Sequence, residues 1–372
     1  MINLAVSYDK FATSKSGGAR ESLLTLLDGV AEHLDISVDV YQTPPVDDPP
    51  KTQFGYEIYE NDMIGIPKLT WMNQVIRRLQ WQRYLSDEIS PDHDILITQN
   101  ELAPVSIKVA EKKGVPSFFF VRSMALTGYE KYFPSFGHVK NISQTDIGGQ
   151  IQYPFLHKNF HDYKHATKNA THTIANSKFT ANKINELFDT DSTIIYPPIK
   201  PDQYRVKYDS TGYITMVNPR AEYKGADIFL DIASVFQSEE FLLVGPISSS
   251  TIKERAQQMG NVTHWGWCED MRDAYSKTKL VIVPSRVEES FGRIPAEAMV
   301  SGIPCVVSDR GGLPEVVGRT GEVVDEVESI DHWEVAIRRA LDYHDPDAQM
   351  ERARTFFARN QCSKLIDLLN SV

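Results

Sequence analysis

Residues 280–308 constrain the fold of this chain most strongly. Two short apolar, β-branched runs, residues 280–284 and 303–307, are typical of parallel strands that are covered on both faces. Between them, Pro295 suits a first helical turn and Gly302 suits the position just past a helix end. The segment therefore predicts a strand, a polar loop, a helix and a second strand, which is a unit of an α/β fold. The loop is expected at the carboxyl end of a strand.

The polar loop carries groups that suit a ligand with phosphate in its middle and hydroxyls at its ends. Glu289 precedes the loop, and we expect Glu297 in the first turn of the predicted helix. The backbone N–H groups between them, near the positive end of the helix dipole, belong to Ser290, Phe291 and Gly292. Amides suit a phosphate, whereas carboxylates accept hydrogen bonds from hydroxyls. A nucleotide sugar has this layout, and open α/β sheets bind ligands at this edge.

The two glutamates also have a simpler interpretation. A chain with a formal net charge of -11 contains glutamates eight residues apart by chance. A glutamate at a helix N-terminus also stabilises the helix dipole without any ligand. The surrounding strand, loop, helix and strand favour the ligand interpretation.

Residues 289–304, which read ESFGRIPAEAMVSGIP, resemble the E-x7-E signature of the retaining family-4 glycosyltransferases of the GT-B fold. Residues 311–317, GGLPEVV, continue the match. The resemblance implies two Rossmann-like αβα domains that face each other across a cleft, and glycosyl transfer from a nucleotide sugar with retention of configuration. It implies that Glu297 holds the ribose hydroxyls and that Glu289 contacts the donor sugar.

The chain length of 372 residues suits two domains, each with its own core. We expect an acceptor-side domain in residues 1–198, a proline-bearing linker in 199–209 and a nucleotide-sugar domain in 210–354. By resemblance, residues 355–372 form a helix that packs back on the first domain.

The composition of the chain limits which partners and which cellular compartment we expect. The chain has no run of about twenty apolar residues and no basic, apolar leader, so we expect a cytoplasmic protein, with peripheral contact at the inner face of the membrane left open. The acidic balance argues against nucleic-acid binding. The first half is closer to neutral, which tolerates a lipid-linked or anionic partner. Three scattered cysteines indicate neither a disulfide framework nor a zinc site.

The first half contributes two glycines and an arginine. Gly17 and Gly18 follow a first predicted strand and would let a ligand approach the backbone closely, although an ordinary turn explains them equally well. The family has a Gly-Gly loop there, near the donor phosphates and the acceptor. Arg122 stands where many family members have a histidine beside the reacting sugar. It cannot shuttle a proton, but it is a candidate for binding the acceptor or the diphosphate.

Three other features of the first half have structural explanations. Residues 69–89 could be a membrane-surface helix, but the strand that follows favours a helix packed on the core. Residues 124–151 are predicted to be a lid-like loop. His157, His161 and His165 lie four residues apart, too far along a helix for all three to bind one metal ion.

The second half contributes two cations and an aromatic ring. By resemblance Lys224 binds the diphosphate, as does Arg220, which stands one residue late against the family pattern. Fixed cations would offset the charge of the leaving diphosphate without a metal. The Asp-Thr-Asp at residues 189–191 is typical of a turn rather than of a metal site. Trp265 would stack on the nucleobase or pack in the core.

We therefore expect a metal-independent, retaining transferase for hexosyl or related groups that uses a UDP- or GDP-sugar and no cofactor. The acceptor would be a saccharide, a lipid-linked compound or a small molecule, and the oligomeric state is not predicted. The leaving diphosphate would help to deprotonate the acceptor, a mechanism implied by the family. A nucleotide-sugar epimerase and a catalytically silent nucleotide-sugar binding protein are the alternatives.

Overall fold

The computed structural model describes residues 1–13, 17–65, 70–129 and 147–372, apart from the side chains of residues 148 and 149. These residues form two compact units. The first contains Met1–Tyr196 together with Gln361–Val372, and the second contains Pro197–Asn360.

The first unit is a seven-stranded, fully parallel sheet in the order β3-β2-β1-β4-β5-β6-β7. Its elements are β1 (Ile2–Ser7), α1 (Gly18–Ala31), β2 (Ile36–Gln42), β3 (Gly55–Glu60), α2 (Thr70–Glu88), β4 (Ile95–Gln99), α3 (Ala103–Lys113), β5 (Ser117–Val121), α4 (Ile147–Asn169), β6 (His172–Ala175), α5 (Lys178–Phe188) and β7 (Thr193–Ile194). The strand order reverses direction between β1 and β4.

Both faces of the first sheet are buried, as expected of parallel strands. Leu4 and Val6 of β1 pack on one face with α1, whereas Ala5 between them packs on the other face with Trp81 of α2. Trp81 is fully buried and its indole N–H donates to Ser7 Oγ at 3.0 Å. The helix at residues 70–88 therefore packs on the core, as the sequence favours.

The second unit has a six-stranded parallel sheet in the order β10-β9-β8-β11-β12-β13. Its elements are β8 (Tyr213–Val217), α6 (Ala226–Val235), β9 (Phe241–Val244), α7 (Ser250–Gln258), β10 (Val262–Trp265), α8 (Met271–Tyr275), β11 (Thr278–Val283), α9 (Arg293–Met299), β12 (Cys305–Ser308), α10 (Leu313–Val317), β13 (Glu322–Val324), α11 (Ile330–Asp342) and α12 (Pro346–Arg354). The predicted strand, loop, helix and strand of residues 280–308 are β11, the loop, α9 and β12.

The last helix, α13 (Ala358–Leu369), supplies part of the core of the first unit. Cys362, Leu365 and Leu369 are buried among the residues of β1, β2 and α1. Gln361 accepts a hydrogen bond from the Tyr196 amide at 2.9 Å through its side-chain oxygen. The helix expected over residues 355–372 is shorter in the structure, because residues 355–357 lie between α12 and α13 and the helix ends at Leu369.

Several local predictions differ from the structure. The sequence predicts no strand at β3 or β13, which the structure contains. Residues 147–151, predicted as the end of a loop, begin α4, and residues 130–146 of that loop lie outside the described residues. The three histidines at 157, 161 and 165 lie on α4, and the described residues contain no group of three or more His, Cys, Asp or Glu side chains arranged to hold a metal ion. Within the described ranges, no helix is long and apolar enough to span a membrane.

Gly29 in α1 tests the packing of the last helix, because a methyl group added there would overlap Cys362 Sγ. Overpacking of a buried contact typically costs about 1–3 kcal/mol, so we expect Gly29→Ala to lower the free energy of unfolding despite the better helix propensity of alanine. The measurement is urea denaturation followed by circular dichroism. Gly55→Ala is the control, because a methyl group there meets no atom within 4 Å.

The double variant Gly29→Ala/Cys362→Ala should recover stability relative to Gly29→Ala, because removal of the sulfur makes room for the new methyl group. A Gly29→Ala protein with the unfolding midpoint of the wild type would contradict this packing.

Candidate active site

The candidate site lies where the strand order of the second sheet reverses, between β8 and β11. Lys224 follows β8 and Glu289 follows β11, and the Lys224 ammonium donates to Glu289 Oε1. The Ser285 hydroxyl donates to the same oxygen at 3.0 Å. Both charged side chains are about one-quarter exposed, at 24% and 21%. The structure thus brings together two of the three predicted catalytic residues at the edge where such sheets bind ligands.

Glycines in the neighbouring loops hold the Glu289 loop in place. Gly225 has a φ of +78°, and a Cβ at this position would collide with the Pro284 carbonyl. Gly311 has a φ of +65°, and a Cβ there would collide with the Glu289 backbone. The Gly312 amide donates to the Glu289 carbonyl at 2.6 Å. The loop after β11 is therefore held between the loops after β8 and β12, at distances that only glycine permits.

Ser290, Phe291 and Gly292 form the turn into α9. Gly292 has a φ of +101°, so α9 begins only at Arg293. The Phe291 ring is buried and packs edge-on against Phe356, with ring centroids 5.2 Å apart. The side chain of Phe291 thus anchors the turn, which leaves its predicted ligand-binding role to the backbone.

Glu297 lies in the second turn of α9, which corrects the prediction that it lies in the first. Because the effect of the helix dipole falls off beyond the first turn, it does not explain a glutamate at position 297. Its carboxylate is buried and accepts hydrogen bonds from the Tyr275 hydroxyl at 3.1 Å and from Arg293 Nε at 3.1 Å. Burial raises the pKa of Glu297, and the Arg293 guanidinium opposes this shift. Arg293 also donates to the hydroxyl of Tyr204.

Arg286 is a residue of the site region that the sequence analysis misses. Its two terminal nitrogens donate to the two carboxylate oxygens of Asp227 in α6, each at 2.7 Å. Its Nε donates to Glu328 at 2.6 Å. The hydrogen bonds from Arg286 lower the pKa of Asp227. This bidentate pair fixes the start of the Glu289 loop to α6, but nothing in the local sequence indicates a partner 59 residues away.

Arg220, the third predicted catalytic residue, is exposed and makes no ion pair with any residue in the described ranges. It lines a cavity of about 890 Å³ at the ends of β8 and β9, together with Tyr223 and Ser249. Lys224 and Glu289 are not among the lining residues of this cavity. The structure therefore does not place Arg220 with the ion pair.

Trp265 has the contacts of a partly buried core residue. Its ring packs with Leu242, Val244 and Ala274 on one face of the sheet. The Lys277 ammonium lies 4.9 Å from the centre of the ring. These contacts account for the tryptophan without a nucleobase.

The predicted ligand-binding residues of the first unit differ in burial and in their contacts. Gly17 and Gly18 are exposed at the start of α1, and Gly17 has a φ of -109°, so its backbone does not require glycine. A Cβ added to Gly17 meets no described atom within 4 Å. Arg122 is buried, its Nε donates to Gln99 Oε1 at 2.8 Å, and its guanidinium lies 4.8 Å from the centre of the Phe120 ring. Arg122 thus ties the ends of β4 and β5 together.

Residues 211–343 match the family model described as Glycosyl transferases group 1. A D-inositol 3-phosphate glycosyltransferase of Gordonia bronchialis is 39% identical over 84 residues, which make up 22% of this chain and 18% of that protein. The matched segments span only 17% to 22% of the first three curated relatives.

Two solved structures resemble the whole chain. A sucrose-phosphate synthase from Thermosynechococcus elongatus has a TM-score of 0.72 and 17% identity, over 100% of this chain and 99% of that chain. The Anabaena protein HepE, solved in complex with UDP, has a TM-score of 0.70 and 16% identity, over 100% of both chains. At such identities the likeness establishes the fold alone. Residues 211–343 of the second unit are therefore similar to the glycosyl transferases group 1 family, and the described chain has a two-domain fold of the GT-B type.

Proposed function

We propose that this protein is a glycosyltransferase that moves a sugar from a nucleoside-diphosphate sugar to an acceptor hydroxyl, with retention of configuration. The observation that carries the proposal is the contact of Lys224 with Glu289 at the point where the second sheet reverses its strand order. A fixed cation there suits a diphosphate, and a carboxylate beside it suits the hydroxyls of the attached sugar. The match of residues 211–343 to the glycosyl transferases group 1 model supports this assignment.

The donor is best supported as a UDP-sugar, with a GDP-sugar as the alternative. HepE has been solved with UDP and with UDP-glucose. In our proposal Lys224 and the backbone of Ser290–Gly292 contact the diphosphate, and Glu289 contacts the sugar. Glu297 lies one helical turn further on, where its carboxylate would accept hydrogen bonds from the ribose hydroxyls in addition to those from Tyr275 and Arg293.

The chemical step exchanges two bonds at the anomeric carbon on one face of the sugar. The bond from this carbon to the diphosphate oxygen breaks while the bond to the acceptor oxygen forms. The acceptor proton passes to the departing phosphate oxygen, so no protein base is needed. Lys224 stabilises the negative charge that develops on the diphosphate, the kind of electrostatic term that contributes most to many enzymes. Glu289 stabilises positive charge on the sugar ring.

The ion pair itself prepares the site for the donor. Glu289 holds the Lys224 ammonium within the loop that the diphosphate would occupy, and Ser285 supports the carboxylate from the other side. A diphosphate would then share Lys224 with Glu289 without any long movement of the lysine. Such pre-orientation lowers the cost of positioning groups in the transition state.

A direct assay tests the proposal. The protein is incubated with UDP- and GDP-sugars and with a panel of saccharide, lipid-linked and small hydroxyl acceptors. Release of nucleoside diphosphate with formation of a glycoside supports the proposal, and proton NMR of the product reports the anomeric configuration. Isomerised donor would instead indicate an epimerase, and binding without turnover would indicate a silent binding protein.

We expect Glu289→Ala to lower kcat about 100-fold, because it removes a charge that acts on the reacting sugar. Glu297→Ala should instead weaken nucleotide binding about tenfold, measured by isothermal titration with UDP, because it removes hydrogen bonds to the ribose. Glu254→Ala, at an exposed position of α7, is the control and should change neither quantity. Unchanged turnover in Glu289→Ala would contradict the role of this carboxylate.

Lys224→Met keeps most of the side-chain length but removes the charge. We expect kcat/KM to fall about 100-fold, because the leaving diphosphate loses its fixed cation. Lys253→Met, an exposed lysine of α7, should behave as the wild type. If Lys224→Met turned over at the wild-type rate, another group would have to offset the charge.

Since Lys224 would supply the positive charge at the diphosphate, we propose turnover without a metal ion. Initial rates in 5 mM EDTA, roughly a thousandfold excess over micromolar protein, should equal those in added Mg²⁺ or Mn²⁺. A rate that collapses in EDTA and returns with Mg²⁺ would show that a metal supplies this charge instead.

A further inference from the structure

The first unit has a second group of charged side chains at its own strand reversal, between β1 and β4. Asp9 follows β1 and Glu101 follows β4. Arg77 of α2 bridges them, with one terminal nitrogen 3.2 Å from Asp9 Oδ1 and the other 3.4 Å from Glu101 Oε1. We call these three residues the acidic bridge. Each side chain is between 21% and 27% exposed.

Besides the contact of its carboxylate with Arg77, Glu101 is held by buried side chains that contact the backbone at residues 100 and 101. Asn100 before it has a φ of +60°, a conformation that non-glycine residues adopt rarely. The Asn100 carbonyl accepts from the Tyr163 hydroxyl at 2.9 Å, and the Glu101 carbonyl accepts from Arg78 Nε at 2.6 Å. Tyr163 and Arg78 are both buried. The position of Glu101 is therefore set by the core of the unit.

The carboxylate of Asp9 is held by Thr43, whose hydroxyl donates to Asp9 Oδ1 at 2.8 Å. The adjacent Gln42 is fully buried, and its side-chain oxygen accepts from the Ala12 amide at 2.7 Å, in the same loop as Asp9. The Nε2 of Gln42 is buried and has no acceptor among the residues that the structure describes. An unpaired buried donor beside this loop is a place for an acceptor group that the described residues do not supply.

The bridge leaves hydrogen-bond acceptors open to a ligand. Asp9 Oδ2 and Glu101 Oε2 make no hydrogen bond to any residue in the described ranges. Ionised carboxylates only accept hydrogen bonds, so their natural partners are hydroxyl or ammonium groups. Two carboxylates and one guanidinium give the bridge a net charge of -1, which disfavours a phosphate.

The other arginines near this edge do not reverse that charge preference. Arg20 is 7% exposed and donates to the Phe11 carbonyl and to Glu21. Arg122 is 9% exposed and donates to Gln99. Both are largely buried by these contacts, as is Arg78, which is 2% exposed and donates to the Glu101 carbonyl. Lys10, which follows Asp9, is exposed and forms no ion pair with the described carboxylates of the bridge.

We propose that Asp9, Arg77 and Glu101 bind the acceptor, and that they select a neutral polyhydroxyl compound, such as an unphosphorylated sugar or polyol, over its phosphate ester. This inference rests on the proposed glycosyl transfer. The two carboxylates accept hydrogen bonds from neighbouring hydroxyls, and Arg77 keeps the carboxylates apart and oriented. The preference for an uncharged acceptor thus follows from the net negative charge of the acidic bridge.

Saturation-transfer NMR on the full chain tests the proposal without relying on turnover. The probes are D-glucose and myo-inositol, each compared with its monophosphate. We expect at least one neutral compound to bind, and to bind more tightly than its phosphate. In Asp9→Asn and in Glu101→Gln its affinity should fall about tenfold, because one charged hydrogen bond is lost. Asp87→Asn, an exposed position on α2, is the control and should bind as the wild type.

The ratio of the affinity for the neutral compound to the affinity for its monophosphate distinguishes a loss of acceptor recognition from a general loss of structure. Each substitution removes one negative charge, so the preference for the neutral compound should narrow in both variants, while the thermal midpoint confirms that they are folded. The proposal would be overturned if this ratio were unchanged in both variants. It would also be overturned if the wild type bound either monophosphate more tightly than the neutral compound, or bound no neutral probe. Titration with UDP reports on the donor site separately. If the protein binds UDP but fails these tests, only the assignment of the acceptor site is contradicted.

Discussion

The contact between Lys224 and Glu289 depends on the order of the strands in the second sheet. Because β8 and β11 are neighbours while their helices lead away in opposite directions, the loops after these strands meet with no helix between them. A lysine and a glutamate that are 65 residues apart in sequence thereby share one hydrogen bond. The glycines at 225 and 311 then set how closely the loops approach, because each would collide with the Glu289 loop if it had a side chain.

The same arrangement occurs in the first unit with different chemistry. There the strand reversal brings Asp9 and Glu101 together, and the cation that joins them comes from a helix instead of a loop. In both units an asparagine with a left-handed backbone follows a strand beside the reversal, Asn100 with a φ of +60° and Asn218 with a φ of +62°. Such conformations are costly for residues other than glycine and concentrate at functional sites. In our two proposals, one fold thus offers an edge that binds a diphosphate and an edge that binds hydroxyl groups.

Local pattern was sufficient to predict β11, α9 and β12, since buried parallel strands and helix ends have strong signals in neighbouring residues. The resemblance to a known family added the assignment of Lys224, which no local pattern near residue 224 indicates. Neither the local pattern nor the resemblance predicted contacts between residues that are distant in sequence. These are the pair of Arg286 with Asp227, the burial of Glu297 by Tyr275, and the acidic bridge. The strand β3 was missed because its residues are exposed or half-buried at the sheet edge and lack a continuous apolar run. Arg220 was assigned by resemblance to the family although it stands one residue late, and its exposed side chain lines a cavity whose lining does not include Lys224 or Glu289.

The packing of α13 has a consequence for how the chain reaches its native state during synthesis. The core of the first unit includes Cys362, Leu365 and Leu369, which the ribosome adds only after the whole second unit has been made. Domains generally fold in the order in which they emerge, the amino-terminal one first. Here the second unit is complete in the nascent chain while the first still lacks one wall of its core. The first unit therefore cannot complete its core until the second unit and α13 have been synthesised.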